Sequence, residues 1–304
     1  MGGGRELAIR LLDWPGPLAE ARDIAVPRGG SAEVARALAS AGVVSDARLF
    51  RLALLLDRGG VLRAGEFAFP AHASLRMVIT ILRQAPAVEH RVTIPEGLTA
   101  AEITALLART DALAGAAPAP LDEGAVLPQT YAFPRGLSRG ALIARAEAAM
   151  RETLARAWAS RAADLPLASP AQALILASIV EHETARPEER PIVAAVFLNR
   201  LRQGMRLQAD STVVYAVSGG KSSLARKLTR ADLAIASPYN TYHVQGLPPG
   251  PIDSPGIAAI LAVLHPAASD ALYFVADGTG GHVFARTLDE HNRNVAQWRA
   301  RESP

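Results

Sequence analysis

The sequence predicts an α+β fold in two parts: a small strand–helix–helix–strand module, then a larger domain that mixes helices with short strands. Three observations lead there. Residues 23–69 read as strand, helix, helix, strand within about fifty residues. Residues 138–203 carry a succession of long, well-capped helices. Residues 271–286 read as a β-hairpin. The domain boundaries expected are an N-terminal segment at 1–22, the small module at 23–90 and the larger domain at 91–304.

The elements follow in order. DIAVP (23–27) reads as a strand turned by Gly29-Gly30. Ser31 can cap a helix that runs to about Ala41 and stops at Gly42, and Ser45 can cap a second, ARLFRLALLLDR, stopped by Gly59-Gly60. VLRAGEFAF (61–69) reads as the returning strand. Residues 74–85 look helical and 91–95 extended. Thr99-Ala100-Ala101-Glu102 is a capping box for a helix to about Arg109. Residues 110–125, rich in Ala, Pro and Gly, read as a loop. A long amphipathic helix follows over 138–160. Ser169-Pro170-Ala171-Gln172 places an N-cap, an N1 proline and an N3 glutamine at the head of the next helix. Arg186 precedes Pro187, which biases it away from helix and ends that element. Another helix, 187–203, stops at Gly204. Asp277-Gly278-Thr279-Gly280-Gly281 turns a hairpin between ALYFVA and HVFAR, and Thr287-Leu288-Asp289-Glu290 caps the last helix.

With 304 residues, 50% of them hydrophobic and 20% charged, the chain can bury a core of two-domain size. Net charge is +3, and Lys221 and Lys227 are the only lysines among 32 basic residues, so the cations are almost all arginine. Arginine favours bidentate contacts over diffuse attraction, and no dense basic run is present, which argues against nucleic acid as a partner. Cysteine is absent, excluding disulfides and thiolate metal sites. No stretch reaches the roughly 18–20 apolar residues of a membrane span. The opening Met1-Gly2-Gly3-Gly4 reads as a truncation point, so an N-terminal anchor would lie outside this sequence.

The most informative segment is LILASIVEHETA (174–185), an apolar run that ends abruptly in Glu181, His182, Glu183 and Thr184. A carboxyl at the end of a buried helix is poorly solvated and faces the negative end of the helix dipole, and both effects favour its protonated form. That is how a fold makes a general acid for work near neutral pH. Glu181 is the candidate acid; the alternative is a helix that simply surfaces there. Glu183, roughly 200° round the helix, reads as a solvated charge, and Asp210 as the more plausible auxiliary.

Three loop-like segments supply candidate contacts. MRLQADSTVVY (205–215) offers Gln208, Asp210, Ser211 and Thr212 ahead of a β-like run. SPYNTYHVQGLPPGPIDSPG (237–256) offers Tyr239, Asn240, Thr241 and Tyr242 before a proline-rich turn. His291 and Asn292 lie on the last helix. Tyrosine rings and asparagine amides at a rigid loop suit sugars, the ring covering an apolar sugar face and the amide bonding hydroxyls; ordinary turn chemistry is the alternative for each. There is no HExxH zinc helix and no GxSxG elbow, and the glycines of 278–281 lie in a hairpin rather than a phosphate-binding loop.

Taken together, ASIVEHETA (177–185), VFLNRLRQGMRLQADSTVVY (196–215), SPYNTYHVQGLPPGPIDSPG (237–256), LYFVADGTGGHVFARTLDEHN (272–292), VTIPEG (92–97) and LPQTYAFPRG (127–136) resemble the endolytic murein transglycosylases of the MltG/YceG-like family. The resemblance implies a LysM-like βααβ subdomain ahead of a mixed α/β catalytic domain. It implies a lyase that needs no cofactor and no metal, cutting the bond between N-acetylmuramic acid and N-acetylglucosamine to leave 1,6-anhydro ends. The family's acid maps onto the ASIVE element, hence Glu181, and the family's usual lysine after it is here His182. The implied setting is the bacterial envelope, as a single-pass inner-membrane protein with a periplasmic catalytic domain. Its partners would be peptidoglycan strands, penicillin-binding synthases and the elongation or division machinery. A hydrolase using the same glutamate with water, and a non-catalytic glycan-binding scaffold, are the rival classes.

Overall fold

The computed structural model describes residues 12–57, 59–116, 120–221 and 224–302. The glycine triplet and residues 117–119 of the expected 110–125 loop lie outside that range. Among the described residues the architecture is α+β, helices with three two-stranded sheets, in two compact units. Among the described residues no helix is long and apolar enough to cross a membrane.

The first unit takes the described part of residues 1–92 together with 112–114 and 132–137. β1 (Arg22–Val26) pairs antiparallel with β2 (Gly65–Phe69), with Ile24 opposite Phe67. The returning strand is thus shorter than 61–69. Between the strands run α1 (Ser31–Ser40) and α2 (Ala47–Leu56), and α3 (Leu75–Gln84) follows. Both expected caps move by one residue. Gly30 is the N-cap of α1, and Asp46, not Ser45, caps α2, accepting the Arg48 and Leu49 amides at 2.5 and 3.2 Å. A carboxylate reaches two orphan amides of the first turn where a hydroxyl satisfies one. Leu38, Phe50, Phe67, Phe69, Val78 and Leu82 fill the core of this unit. Its buried Glu66 is held by His90 and, at 2.8 Å, by Arg135.

β3 (Glu89–Thr93) and β4 (Thr130–Pro134) form the second sheet. The second unit takes 93–111 and the described parts of 115–131 and 138–304. In it, α4 (Ala100–Ala108) opens on the capping box of Thr99 and Glu102, as its sequence predicts. α5 (Arg139–Ala159) precedes α6 (Pro170–Glu183), α7 (Arg190–Arg202), α8 (Asp210–Ser218), the single turn α9 (Arg230–Leu233) and α10 (Ile257–Leu264). α10 packs on both α6 and α7, which also pack on each other. α6 therefore buries Ala173, Leu176, Ala177, Ile179 and Val180 around much of its circumference, as a helix apolar on all sides must. The hairpin β5 (Tyr273–Ala276) and β6 (His282–Ala285) pairs antiparallel, and α11 (Leu288–Glu302) closes the unit. The β-like run after Thr212 is helix α8. Its Val-Val-Tyr has strand propensity, but tertiary packing of buried Thr212 and Val213 overrides so short a signal.

Candidate active site

α6 ends where the sequence says it should. Thr184 is extended (φ −145°) and Arg186-Pro187 follows, so Glu181 and Glu183 both lie in the last turn. Their surroundings differ completely. The Glu181 side chain is only 6% exposed and is tied at both oxygens. Arg190 Nη2 donates to Oε1 at 2.9 Å, and the Gly256 amide, at the N-cap of α10, donates to Oε2 at 2.9 Å. Burial raises its pKa, with the Gly256 amide and Arg190 opposing. Glu181 thus joins the end of α6 to the start of α7 and of α10, and it lines neither cavity described below. The sequence expects this carboxyl at the substrate; the structure holds it on Arg190 and Gly256.

Glu183 points the other way. It lines a cavity of about 440 Å³ together with Leu98, His182, Ser211, Val214, Tyr215 and Ile252. It also lines a second cavity of about 350 Å³ with Arg200, Gln208, Tyr242, Tyr273 and His291. Asp210 is the one other residue shared by both. Burial pushes the Glu183 carboxyl up to about 7; Ser211, whose hydroxyl donates to Oε1 at 2.9 Å, opposes this, and the negative charge of Asp210 adds to it. Glu183 is therefore no solvated surface charge. Its 200° separation from Glu181 turns it into the cleft.

The remaining expected contacts divide. Gln208, Asp210, Ser211, Tyr242 and His291 line the two cavities. Tyr242 Oη donates to Asp210 Oδ1 at 2.6 Å, and the His291 ring stacks on Tyr273 at 5.2 Å. Gln208 has φ 52°, a left-handed conformation that is strained for a side chain of this kind. Thr212, Asn240 and Thr241 are buried instead and hold the frame of the site. Asn240 Nδ2 donates to the Leu233 and Ile235 carbonyls at 3.0 and 2.9 Å, while its Oδ1 accepts the Tyr242 amide at 3.0 Å. Thr241 Oγ1 accepts the Ala209 amide at 2.9 Å and meets Thr212 Oγ1 at 2.8 Å. These correct the reading of Asn240, Thr241 and Thr212 as sugar contacts: an amide or hydroxyl with no exposed surface is spent on backbone. Tyr239 packs on Tyr215, ring centroids 4.7 Å apart, and lines neither cavity; exposed Asn292 lines neither either.

Sequence reasoning missed several groups. Arg200, buried on α7, donates to the carbonyls of Leu272 and Leu207 at 2.7 and 2.6 Å and lies over the Tyr273 ring. It fixes the wall of the second cavity. His182 meets the fully buried Asp253 at 2.7 Å. That ion pair raises the His182 pKa, while burial lifts Asp253 to about 6. Glu123, lifted by burial to about 7, accepts from Tyr215 Oη at 3.2 Å and from the Ala100 amide. Nothing in the local sequence around these residues distinguishes them from surface charges. Among the described residues no group of three or more His, Asp or Glu side chains could hold a metal.

The YceG-like family model matches residues 24–297, nearly the whole chain. The chain belongs to the YceG-like family. A Streptococcus pneumoniae protein named endolytic murein transglycosylase is 39% identical over 179 residues, covering 58% of this chain and 32% of that protein. A Bacillus subtilis protein of the same name is 46% identical over 120 residues, covering 40% of this chain and 32% of its own length. The chain thus matches about a third of these relatives. The crystal structure of a YceG-like protein from Listeria monocytogenes superposes with a TM-score of 0.55 at 27% identity, covering 90% of this chain and 98% of that one.

Proposed function

We propose that this chain is an endolytic lytic transglycosylase of peptidoglycan, a carbon–oxygen lyase acting on a polysaccharide, with Glu183 as its acid. One observation carries the reading: a desolvated carboxyl, held near pH 7, at the join of two cavities. A cleft that continues on both sides of the acid suits a cut within a strand rather than at its end. The relatives' name supplies the substrate class, and the same acid explains why a single carboxyl suffices.

Glu183 donates its proton to the glycosidic oxygen between N-acetylmuramic acid and N-acetylglucosamine, and the C1–O bond breaks with positive charge growing on C1 and the ring oxygen. The carboxylate left on Glu183 then accepts the proton of the muramic C6 hydroxyl, whose oxygen closes on C1. The enzyme ends as it began, with a protonated Glu183, and the product carries a 1,6-anhydro end. Asp210, held by Tyr242, lies beside the acid and supplies fixed negative charge to the cation-like transition state. Leu98, Val214 and Ile252 make one wall apolar, which keeps Glu183 protonated and limits water at C1. Gln208, Tyr242 and His291 offer polar edges and ring faces to the sugar on the other side. The setting that goes with this substrate is the bacterial envelope, beside the synthases that make the strands.

The test is to digest purified glycan strands in heavy-oxygen water and weigh the new ends. Anhydro ends, lighter by one water and free of label, support the proposal. Label at the new muramic end would mean hydrolysis with Asp210 activating water, and intact strands would leave a binding scaffold.

A further inference from the structure

Helix α2 of the first unit carries more exposed leucine than a surface helix needs. Phe50 and Ala53 face the core, while Leu49, Leu52, Leu55 and Leu56 stay 44%, 53%, 77% and 54% exposed, with Trp14 at 73%. Leu49, Leu52 and Leu56 share one stripe at helical spacing and, with Trp14, line an apolar hollow of about 160 Å³. Next to them Arg48 and Arg51, with Arg36 of α1, line a second shallow hollow. α2 contains no acidic residue. Asp57 pairs with Arg83 at 2.5 Å, which leaves the capping Asp46 as the one flanking carboxylate against Arg36, Arg48 and Arg51, so the local charge is positive.

We propose that this face of α2 seats on the surface of an anionic lipid bilayer. The pattern is that of an interfacial helix: leucines on one side to enter the acyl boundary, arginines beside them at the level of the phosphates, and an indole at the margin. Guanidinium groups suit lipid phosphate by their fork of donors, and positive charge next to an exposed apolar stripe matches a negative headgroup layer over a hydrocarbon interior. A protein groove would satisfy the leucines but gives no reason for arginines that have no ion-pair partner among the described residues. The contact is separate from the cleft, which lies within the second unit, so its failure leaves the transglycosylase reading untouched.

Sedimentation of the full chain with vesicles tests this, using phosphatidylcholine alone and phosphatidylcholine mixed with phosphatidylglycerol. The chain should pellet with the mixed vesicles and less as salt rises, and tryptophan emission should shift to the blue, a shift that Trp14→Phe removes. Arg48→Glu with Arg51→Glu should weaken binding on the order of tenfold or more. Leu52→Ser with Leu55→Ser should weaken it comparably at unchanged melting temperature; if that pair destabilises the fold, the single Leu55→Ser variant, at the most exposed position, replaces it. Absence of sedimentation with the mixed vesicles overturns the proposal. So does a vesicle-independent self-association that these substitutions abolish, which would make the face a contact between copies.

Discussion

Exchanging Glu183 for Gln separates charge from shape. The amide carbonyl can keep the 2.9 Å bond from Ser211, but the side chain can neither ionise nor act as an acid. In the parent, burial moves the carboxyl from 4.5 to about 7. Ionising it inside the fold therefore costs about 3 kcal/mol relative to the unfolded chain. Between those two values the folded state keeps a proton that the unfolded chain has released, so stability falls as pH rises. Well below 4.5 the substitution is silent, because both forms are neutral; above about 7 the variant is the more stable, by up to about 3 kcal/mol, or roughly 6–12 °C in melting temperature for a domain of this size. Cleavage moves the opposite way and drops by about 10²–10⁴. In the parent, kcat/KM declines as pH rises above about 7, where the acid loses its proton. Denaturant melts across this pH range, beside strand digestion by the same preparations, decide the matter. A stability gap that does not grow with pH would mean the carboxyl is not desolvated. Near-parental cleavage by Glu183→Gln, with Glu181→Gln inactive at unchanged stability, would return the acid role to Glu181.

Glu181→Ala takes from half-buried Arg190 its 2.9 Å partner, leaving it only Glu96 at 3.6 Å, and leaves the Gly256 amide without an acceptor; it should cost about 2–4 kcal/mol, while turnover per folded molecule, measured against the folded fraction, changes far less than with Glu183→Gln. Asn240→Ala removes three bonds inside the loop and should destabilise by about 2–4 kcal/mol, with activity following the folded fraction in parallel melts and digests. Gln208→Gly relieves the left-handed strain at φ 52° and should stabilise by about 1 kcal/mol while lowering strand cleavage; unchanged cleavage would remove Gln208 from the site. Tyr242→Phe deletes the 2.6 Å bond to Asp210 and should lower kcat about tenfold, the effect of losing one charged hydrogen bond, with little change in melting.

Residue order alone determined what local interactions govern. The start of α6 follows from Ser169-Pro170-Ala171-Gln172, its stop from Arg186-Pro187, and the α4 cap from Thr99 and Glu102; each depends on groups within a turn of one another. The hairpin at 273–285 follows from its glycine-rich turn in the same way. The apolar run into Glu181-His182-Glu183 marked where a protonated carboxyl could arise, and the long motifs marked the family. Tertiary structure decided the rest. Glu181 and Glu183 are equivalent in helix position, and only the packing of α7 and α10 on one side and α8 on the other makes the first a buried tie and the second a cleft acid. Thr241 looks like a sugar ligand until the 205–212 segment folds beneath it and takes its hydrogen bonds, and Asn240 until its amide closes on the Leu233, Ile235 and Tyr242 backbone. Asp253, 71 residues beyond His182, becomes its counter-ion only when the loop before α10 closes over the end of α6. A helix period fixes the angle between two side chains, but which of those directions is filled by protein and which stays open to substrate depends on segments far away in the chain.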